Sequence, residues 1–247
     1  MQTKVAFITG SAKRIGAYTA AYLHEKGFNV VIHCNQSLQE ANDLATTLNK
    51  TRAFSAKVVQ GDLTRIEALS TIAEQATQAF GRLDVLINNA SAFYPTPMGH
   101  ITEQDWRCLF ASNAQAPLFL TQLCKKQLEA NQGVVVNMVD IHAQRPLKSH
   151  TVYCMAKAAL VTMTQSLAQE LAPDVRVNGI APGAILWPSE ALQESEKNHI
   201  LRQIPLQKMG TEKDIAQAIA FLIDAPYITG QILAVDGGRS IANPHSA

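Results

Sequence analysis

Tyr153 and Lys157 stand four positions apart in a helically patterned stretch, so both side chains share one face. A phenol beside an ammonium is a usable proton donor, because the positive charge stabilises the phenolate and lowers the phenol's pKa. The Tyr-x-x-x-Lys spacing alone is weak, since such pairs also form as plain surface contacts. Its weight comes from its surroundings. A strand expected just before it runs up to the carboxylate of Asp140. Asn88, Asn89 and Ala90 end another strand, Asn113 lies in the helix that follows, and Pro182 and Gly183 end a third strand. If those strands are parallel, all these residues gather at the carboxyl side of one sheet.

A second cluster, Thr9-Gly10-Ser11-Ala12-Lys13-Arg14-Ile15-Gly16, forms a strand-to-helix turn. Gly10 permits a tight turn with positive φ, and Gly16 lets the helix close on the sheet. The free N–H groups of the helix start, around Arg14, Ile15 and Gly16, then suit a pyrophosphate. The spacing is wider than G-x-G-x-x-G, and Arg14 sits where a glycine or small residue is more usual. A plain strand-to-helix turn is the bland alternative. The second strand ends in His33-Cys34-Asn35-Gln36-Ser37, with no acid before Glu40. A carboxylate at that point would hold both ribose hydroxyls and repel a 2′-phosphate. Neutral Asn35, Gln36 and Ser37, with Lys13 and Arg14 nearby, predict NADPH over NADH as cofactor. Ser37 is also expected to cap the next helix. Asp62, followed by Leu63, either meets the adenine amino group or caps a helix.

The elements that must position these residues alternate regularly. Strands are expected over residues 5–9, 29–34, 53–60, 83–88, 133–139, 175–180 and 231–235. Runs such as Val30-Val31-Ile32 and Val134-Val135-Val136 suit strands covered on both faces, as in a parallel sheet. Helices are expected over 14–26, 38–49, 66–80, 103–131, 151–171 and 212–223. The reading is a single α/β Rossmann-type, doubly wound domain over 1–247, with helices on both faces of a parallel sheet. Residues 185–207 break the rhythm with Trp187-Pro188 and a polar run, either a mobile insertion beside a binding site or an ordinary surface helix.

Composition excludes other classes. The chain has 247 residues, 47% of them hydrophobic, enough for a full core. Lys plus Arg number 21 and Asp plus Glu 20, so no global basic field invites nucleic acid. A charged fraction of 17% is low and suits a chain that covers part of its surface in an oligomer. No apolar run is long enough to span a bilayer, and no targeting leader is visible, so a cytoplasmic location is expected. The four cysteines lack metal or redox spacing, as do His33, His100, His142 and His150. Ser149 has no nucleophile elbow, and Met98, Met138, Met155 and Met163 read as core filling.

Taken in register, Thr9-Gly10…Gly16, Asn88-Asn89-Ala90, Asn113, Tyr153-Cys154-Met155-Ala156-Lys157, Arg176-Val177-Asn178…Pro182-Gly183 and Asp236-Gly237-Gly238 resemble the short-chain dehydrogenase/reductases over almost the whole chain. The resemblance implies a seven-stranded parallel sheet, a nicotinamide cofactor and a homotetramer. It implies that Lys157 holds the nicotinamide ribose and that Asn113 shapes its helix and a water path.

Most members of that family carry a serine ahead of the Tyr-Lys pair. Asp140 in that place, Lys13-Arg14 in the glycine turn, and Asn89-Ala90-Ser91-Ala92-Phe93-Tyr94-Pro95 after the fourth strand are together similar to pteridine reductases. That narrower resemblance implies that Arg14 and Ser91 touch pterin and cofactor, that Phe93 sandwiches the pterin against the nicotinamide, and that Asp140 and Tyr153 serve proton transfer. Gln36 stands where such enzymes can carry a basic residue, which weakens the grip on a 2′-phosphate. The substitution makes chemical sense. Reducing a ring C=N needs hydride at carbon and a proton at nitrogen, so an acid is more useful than a serine that polarises a carbonyl. The expected activity is NADPH-dependent reduction of dihydropterin- or dihydrofolate-type substrates. The alternatives are a reductase of 3-oxoacyl thioesters or ketones, and a non-catalytic nucleotide-binding sensor.

Overall fold

The computed structural model describes residues 2–187 and 193–242. Seven strands form one sheet: β1 (Val5–Ile8), β2 (Asn29–Cys34), β3 (Ala56–Gln60), β4 (Val85–Asn88), β5 (Val134–Met138), β6 (Arg176–Pro182) and β7 (Ile232–Val235). Their order is β3-β2-β1-β4-β5-β6-β7, and every pairing is parallel. The order reverses between β1 and β4, which pair directly through Ala6–Val85, Phe7–Leu86 and Ile8–Ile87. Successive connections leave that point in opposite directions, so a crevice opens beyond the carboxyl ends of those two strands.

Alternation along each strand builds two cores. Ala6, Ile8, Val30 and Ile32 face one side and pack with Leu23 of α1 (Arg14–Glu25), Leu48 of α2 (Leu38–Thr51) and Ile219 of α8 (Glu212–Asp224). Val5, Phe7, Val31 and Val135 face the other, against Leu69 and Ile72 of α3 (Ile66–Gln78) and Leu120 and Leu128 of α5 (Ala116–Ala130). Central strands buried on both faces explain the uninterrupted apolar runs in the sequence.

Three local features depart from expectation. The third strand starts at Ala56 rather than at residue 53, because Phe54 takes a left-handed φ of 55° and the chain turns there. Asn49 holds that turn through Oδ1, which accepts from the N–H of Ser55 at 2.9 Å and of Ala56 at 3.0 Å. The single helix expected over 103–131 is two helices, α4 (Glu103–Phe110) and α5, joined by a π-helical turn over Ala111–Gln115. Pro117 explains the break: it has no N–H for the carbonyl four residues earlier, which belongs to Asn113. The irregular stretch at 185–207 contains α7 (Glu194–Arg202), none of whose residues is buried, while residues 188–192 lie outside the described residues. The remaining helix is α6 (Thr151–Glu170). Among the described residues, no helix is long and apolar enough to cross a membrane.

Candidate active site

The turn after β1 is held by close contacts that only glycine allows. Gly10 has φ 60°, and a Cβ there would lie 2.9 Å from the Cα of Ala90. A Cβ on Gly16 would lie 2.5 Å from the Gly10 carbonyl and 2.6 Å from Asn89 Nδ2. Asn89 is the clamp: its Nδ2 donates to the carbonyls of Thr9 at 2.8 Å and Gly10 at 3.0 Å. The Thr9 hydroxyl oxygen in turn accepts from the N–H groups of Asn89 and Ala90. The turn after β1 and the loop after β4 are therefore one unit.

His33, set aside in the sequence as lacking metal spacing, holds the other side of the turn. Gly10 N–H donates to its Nδ1 at 3.1 Å, and its Nε2 donates to the Gly61 carbonyl at 3.1 Å. Those partners assign the proton to Nε2 and require a neutral ring. Burial pulls its pKa down to about 4, against the smaller opposing effects of the Gly61 carbonyl and Asp62. Arg14 has φ 53°, a backbone conformation that suits glycine and strains a long side chain.

A cavity of about 350 Å³ lies beyond β2, with Gly10, Lys13, Asn35, Gln36 and Ser37 in its lining. Ser37 sits at the N-cap position of α2 but makes no capping bond, contrary to expectation. Its ψ of 51° is outside the extended region from which a cap side chain reaches back. Asp62 caps a turn rather than a helix: its Oδ1 accepts from the Thr64 N–H at 2.9 Å and hydroxyl at 2.7 Å. Leu63 is a core residue, and Ile15 packs on the opposite core. Lys13 is not an uncompensated charge, because it pairs with Glu40 at 2.5 Å, and that ammonium holds the Glu40 carboxyl below its usual range. Arg14 is the cation of the turn for which no ion pair forms among the described residues. Pro182 ends β6, and a Cβ on Gly183 would lie 2.6 Å from the Asp236 Cβ, which draws the ends of β6 and β7 together. Glycines that admit no side chain, a helix start behind them and a neutral polar rim together fit a nicotinamide dinucleotide.

The second half of the site lies along α6 and the loop after β5. The Tyr153 hydroxyl donates to Asp140 Oδ2 at 2.7 Å, and Asp140 Oδ1 accepts from the His142 N–H at 2.8 Å. Asp140 thus caps a short 3-10 turn, Ile141–Ala143, and receives the phenol at once. Lys157, 2% exposed, donates to the Met138 carbonyl at 2.7 Å, and its Nζ is 5.7 Å from the Tyr153 ring centroid. This corrects the expected electrostatics. The Tyr153 pKa is raised, by burial first and then by the charge and hydrogen bond of Asp140, with the nearby Ser91 hydroxyl opposing. The ammonium gives one of its three N–H groups to a backbone carbonyl and makes no hydrogen bond to the phenol oxygen. Burial draws Lys157 down to about 8, with the Asp140 charge opposing.

Ser91 donates to Asn113 Oδ1 at 2.7 Å, and Asn113 Nδ2 donates to the carbonyls of Ala92 and Leu109, each at 2.9 Å. The π-turn thereby fastens the loop after β4 from behind. Phe93, expected as a stacking face, is 55% exposed. One of its faces stacks on His150, with centroids 4.7 Å apart and planes at 14°, and it makes a T-shaped contact with Tyr153 at 4.8 Å and 79°. The backing ring of His150 had no signal in the sequence beyond being a histidine near Tyr153. The arrangement offers a flat apolar surface beside a phenol–carboxylate pair and next to a dinucleotide cradle. Among the described residues, no group of metal-binding side chains accompanies it.

Comparison with known proteins agrees with this geometry. A family model described as enoyl-(acyl carrier protein) reductase matches residues 10–240. The chain is 35% identical to pteridine reductase 1 of Leishmania tarentolae, over 96% of this chain and 96% of that protein. It is 33% identical to an uncharacterized oxidoreductase, YohF, of Escherichia coli, over 98% and 97%. It is 31% identical to a 3-oxoacyl-acyl-carrier-protein reductase, FabG, of Staphylococcus aureus, over 96% and 98%. With the seven-stranded parallel sheet and the Tyr153–Lys157 helix beside a glycine turn, these matches show that the chain is an oxidoreductase and belongs to the short-chain dehydrogenase/reductase family.

Proposed function

We propose that the protein is an NADPH-dependent reductase of oxidised pterins. The observation that carries this reading is the 2.7 Å hydrogen bond from Tyr153 to Asp140 beside the half-exposed ring of Phe93. A carbonyl reductase needs a neutral donor to polarise its substrate oxygen, and a carboxylate there would repel the oxyanion that forms. A ring nitrogen that gains a proton is served by an acid instead. The likeness to pteridine reductase 1 supports the same choice.

The cofactor would lie across the Gly10–Gly16 turn, with Asn35, Gln36 and Ser37 around its 2′-phosphate, Asp62 and Leu63 toward the adenine, and Asn89, Ala90, Pro182 and Gly183 beside the nicotinamide half. When bound it supplies a hydride to the substrate ring carbon. NADPH rather than NADH follows from the lack of an acid at the end of β2, with Arg14 as the available cation. The chain's own residues supply the rest. Phe93, backed by His150, holds the pterin flat, and Arg14 and Ser91 meet its polar edge. Asp140 and Tyr153 act as one acid. Asp140 passes a proton to the substrate nitrogen through the Tyr153 hydroxyl, which gives up its own proton and takes one from the carboxyl group 2.7 Å away, so no phenolate is left behind. Lys157 orients the ribose hydroxyls, and Asn113 positions Ser91. The working unit is a homotetramer with small molecules as its other partners, located in the cytoplasm.

The test is NADPH oxidation with a panel of dihydropterins beside ketones and a 3-oxoacyl thioester. Turnover confined to pterins is expected. Turnover confined to the thioester, the substrate named for the relative from S. aureus, would overturn the reading.

A further inference from the structure

A cavity walled by residues from the second half of the chain lies outside the Phe93–Tyr153 surface. It has a volume of about 660 Å³, within the range of small-molecule sites. Its lining carries three guanidinium groups, Arg145, Arg202 and Arg239, and two imidazoles, His142 and His199, and among the described residues no carboxylate. Three elements distant in sequence converge there: the loop after β5, the end of α7 and the turn after β7.

The cluster is built and cross-tied. Arg145 donates to the Arg239 carbonyl at 2.5 Å, and Arg239 donates to Gln203 Oε1 at 3.0 Å. Asp236, the nearby acid on β7's exit, is committed to its own turn and accepts from the N–H groups of Gly238 at 2.9 Å and Ser240 at 2.6 Å. Among the described residues, none of the three arginines forms an ion pair. Burial and the neighbouring Arg145 charge hold Arg239 below the usual arginine range, with Asp140 and Asp236 opposing. Like charges gathered in one concavity are stabilised by an anion that neutralises them.

The cavity is continuous with the catalytic loop. Ile141 and His142, immediately after Asp140, belong to its wall, and so does Leu147, which also packs on the cluster containing Tyr153. We propose that this arginine-lined cavity is a substrate subsite that takes a carboxylate-bearing chain attached to the ring bound at Phe93, so that Arg145, Arg202 and Arg239 select acidic pterin conjugates over neutral ones. This rests on the pterin reading above. The planar fork of arginine matches a carboxylate by two parallel hydrogen bonds, and three of them match a chain with more than one carboxylate.

The experiment uses full-length enzyme saturated with NADPH. The kcat/KM ratio for dihydrofolate over dihydrobiopterin is measured for wild type, Arg202→Gln and Arg202→Lys, and calorimetry follows binding of p-aminobenzoylglutamate, the acidic chain without a pterin. Arg202 is exposed on α7, so its replacement spares the core. The expected result is a ratio about tenfold lower in Arg202→Gln, partial recovery in Arg202→Lys, and p-aminobenzoylglutamate affinity about tenfold weaker in Arg202→Gln. An unchanged ratio and unchanged fragment binding would overturn the subsite while leaving the pterin reading standing. Fragment binding that depends on Arg202, with no turnover of either pterin, would sink the pterin reading and keep the anion site. Inorganic phosphate binding tighter than the fragment would assign the cavity to phosphate-bearing ligands and overturn the carboxylate choice.

Discussion

Replacing Arg14 by glycine and by alanine separates what its backbone does from what its side chain does. Arg14 holds φ 53° at the start of α1, where an L-residue is disfavoured by roughly 1–2 kcal/mol. Glycine removes that penalty but adds unfolded-state freedom, which offsets about 0.5–1 kcal/mol relative to alanine. The net advantage of Arg14→Gly over Arg14→Ala is therefore about 0.5–1 kcal/mol, or roughly 1–4 °C in Tm for a chain of this size. Both variants lose the guanidinium, so kcat/KM for the pterin is expected to fall about tenfold in each, the order of one charge-assisted hydrogen bond. Thermal melts by circular dichroism and steady-state NADPH oxidation check the two halves. An alanine variant as stable as the glycine variant would refute the left-handed backbone. Full activity in both would leave the strain without a function, since strain of this kind persists where the surroundings or the chemistry require it.

Three further outcomes follow from the geometry. The folded chain refuses a proton at His33 down to about pH 4, whereas the unfolded imidazole accepts one near 6.5, so stability is lost as pH falls through that window, by about 3 kcal/mol in full. Urea titrations between pH 7.5 and 4.5 should show a shallower decline for His33→Gln than for wild type, and parallel curves would contradict the neutral bridge between Gly10 and Gly61. Asp140→Asn keeps the shape of the pair but cannot donate a proton as an acid, so kcat with pterin should drop about 100-fold or more while NADPH quenching of intrinsic fluorescence persists; wild-type kcat would remove Asp140 from the proton path. Phe93→Ala should raise the pterin Kd roughly 3- to 10-fold, from stacking worth about 0.5–1.5 kcal/mol, and an unaltered Kd in titration would place the ring elsewhere.

The architecture was legible because the signals are local and repeated. Buried parallel strands must be apolar on both faces, and β1, β4 and β5 are buried at every position. The residues converging at the site were legible for the same reason: each follows the carboxyl end of a strand. What stayed hidden depends on contacts across the fold. The Lys157 ammonium bonds the Met138 carbonyl, and no i,i+4 rule reveals that partner. Lys13 read as free charge because Glu40 lies one helix away in sequence. The π-turn around Asn113 did have a signal in Pro117, hidden inside an otherwise good helical pattern. The arginine cavity unites residues 145, 202 and 239, a grouping that only the folded chain brings together.

The two ends of the sheet show why the chemistry belongs at one of them. At the amino end, Asp84 is consumed by structure: its carboxylate accepts from the Val5 N–H at 2.8 Å and from two nitrogens of Arg82, at 2.9 and 2.5 Å. That buried pair leaves nothing for a ligand and serves to pin β1 beside β4. At the carboxyl end the same two strands open a crevice. There and in the neighbouring turn after β2 the side chains are cross-tied without being consumed: Tyr153 holds its phenol against Asp140, Ser37 spends no capping bond, and Phe93 stays half exposed after stacking on His150. A fold selected only for stability would cap Ser37, put glycine at Arg14 and bury Phe93. The departures cluster at the topological switch point, and their clustering is the physical reason to read that crevice as the place where substrate and cofactor meet.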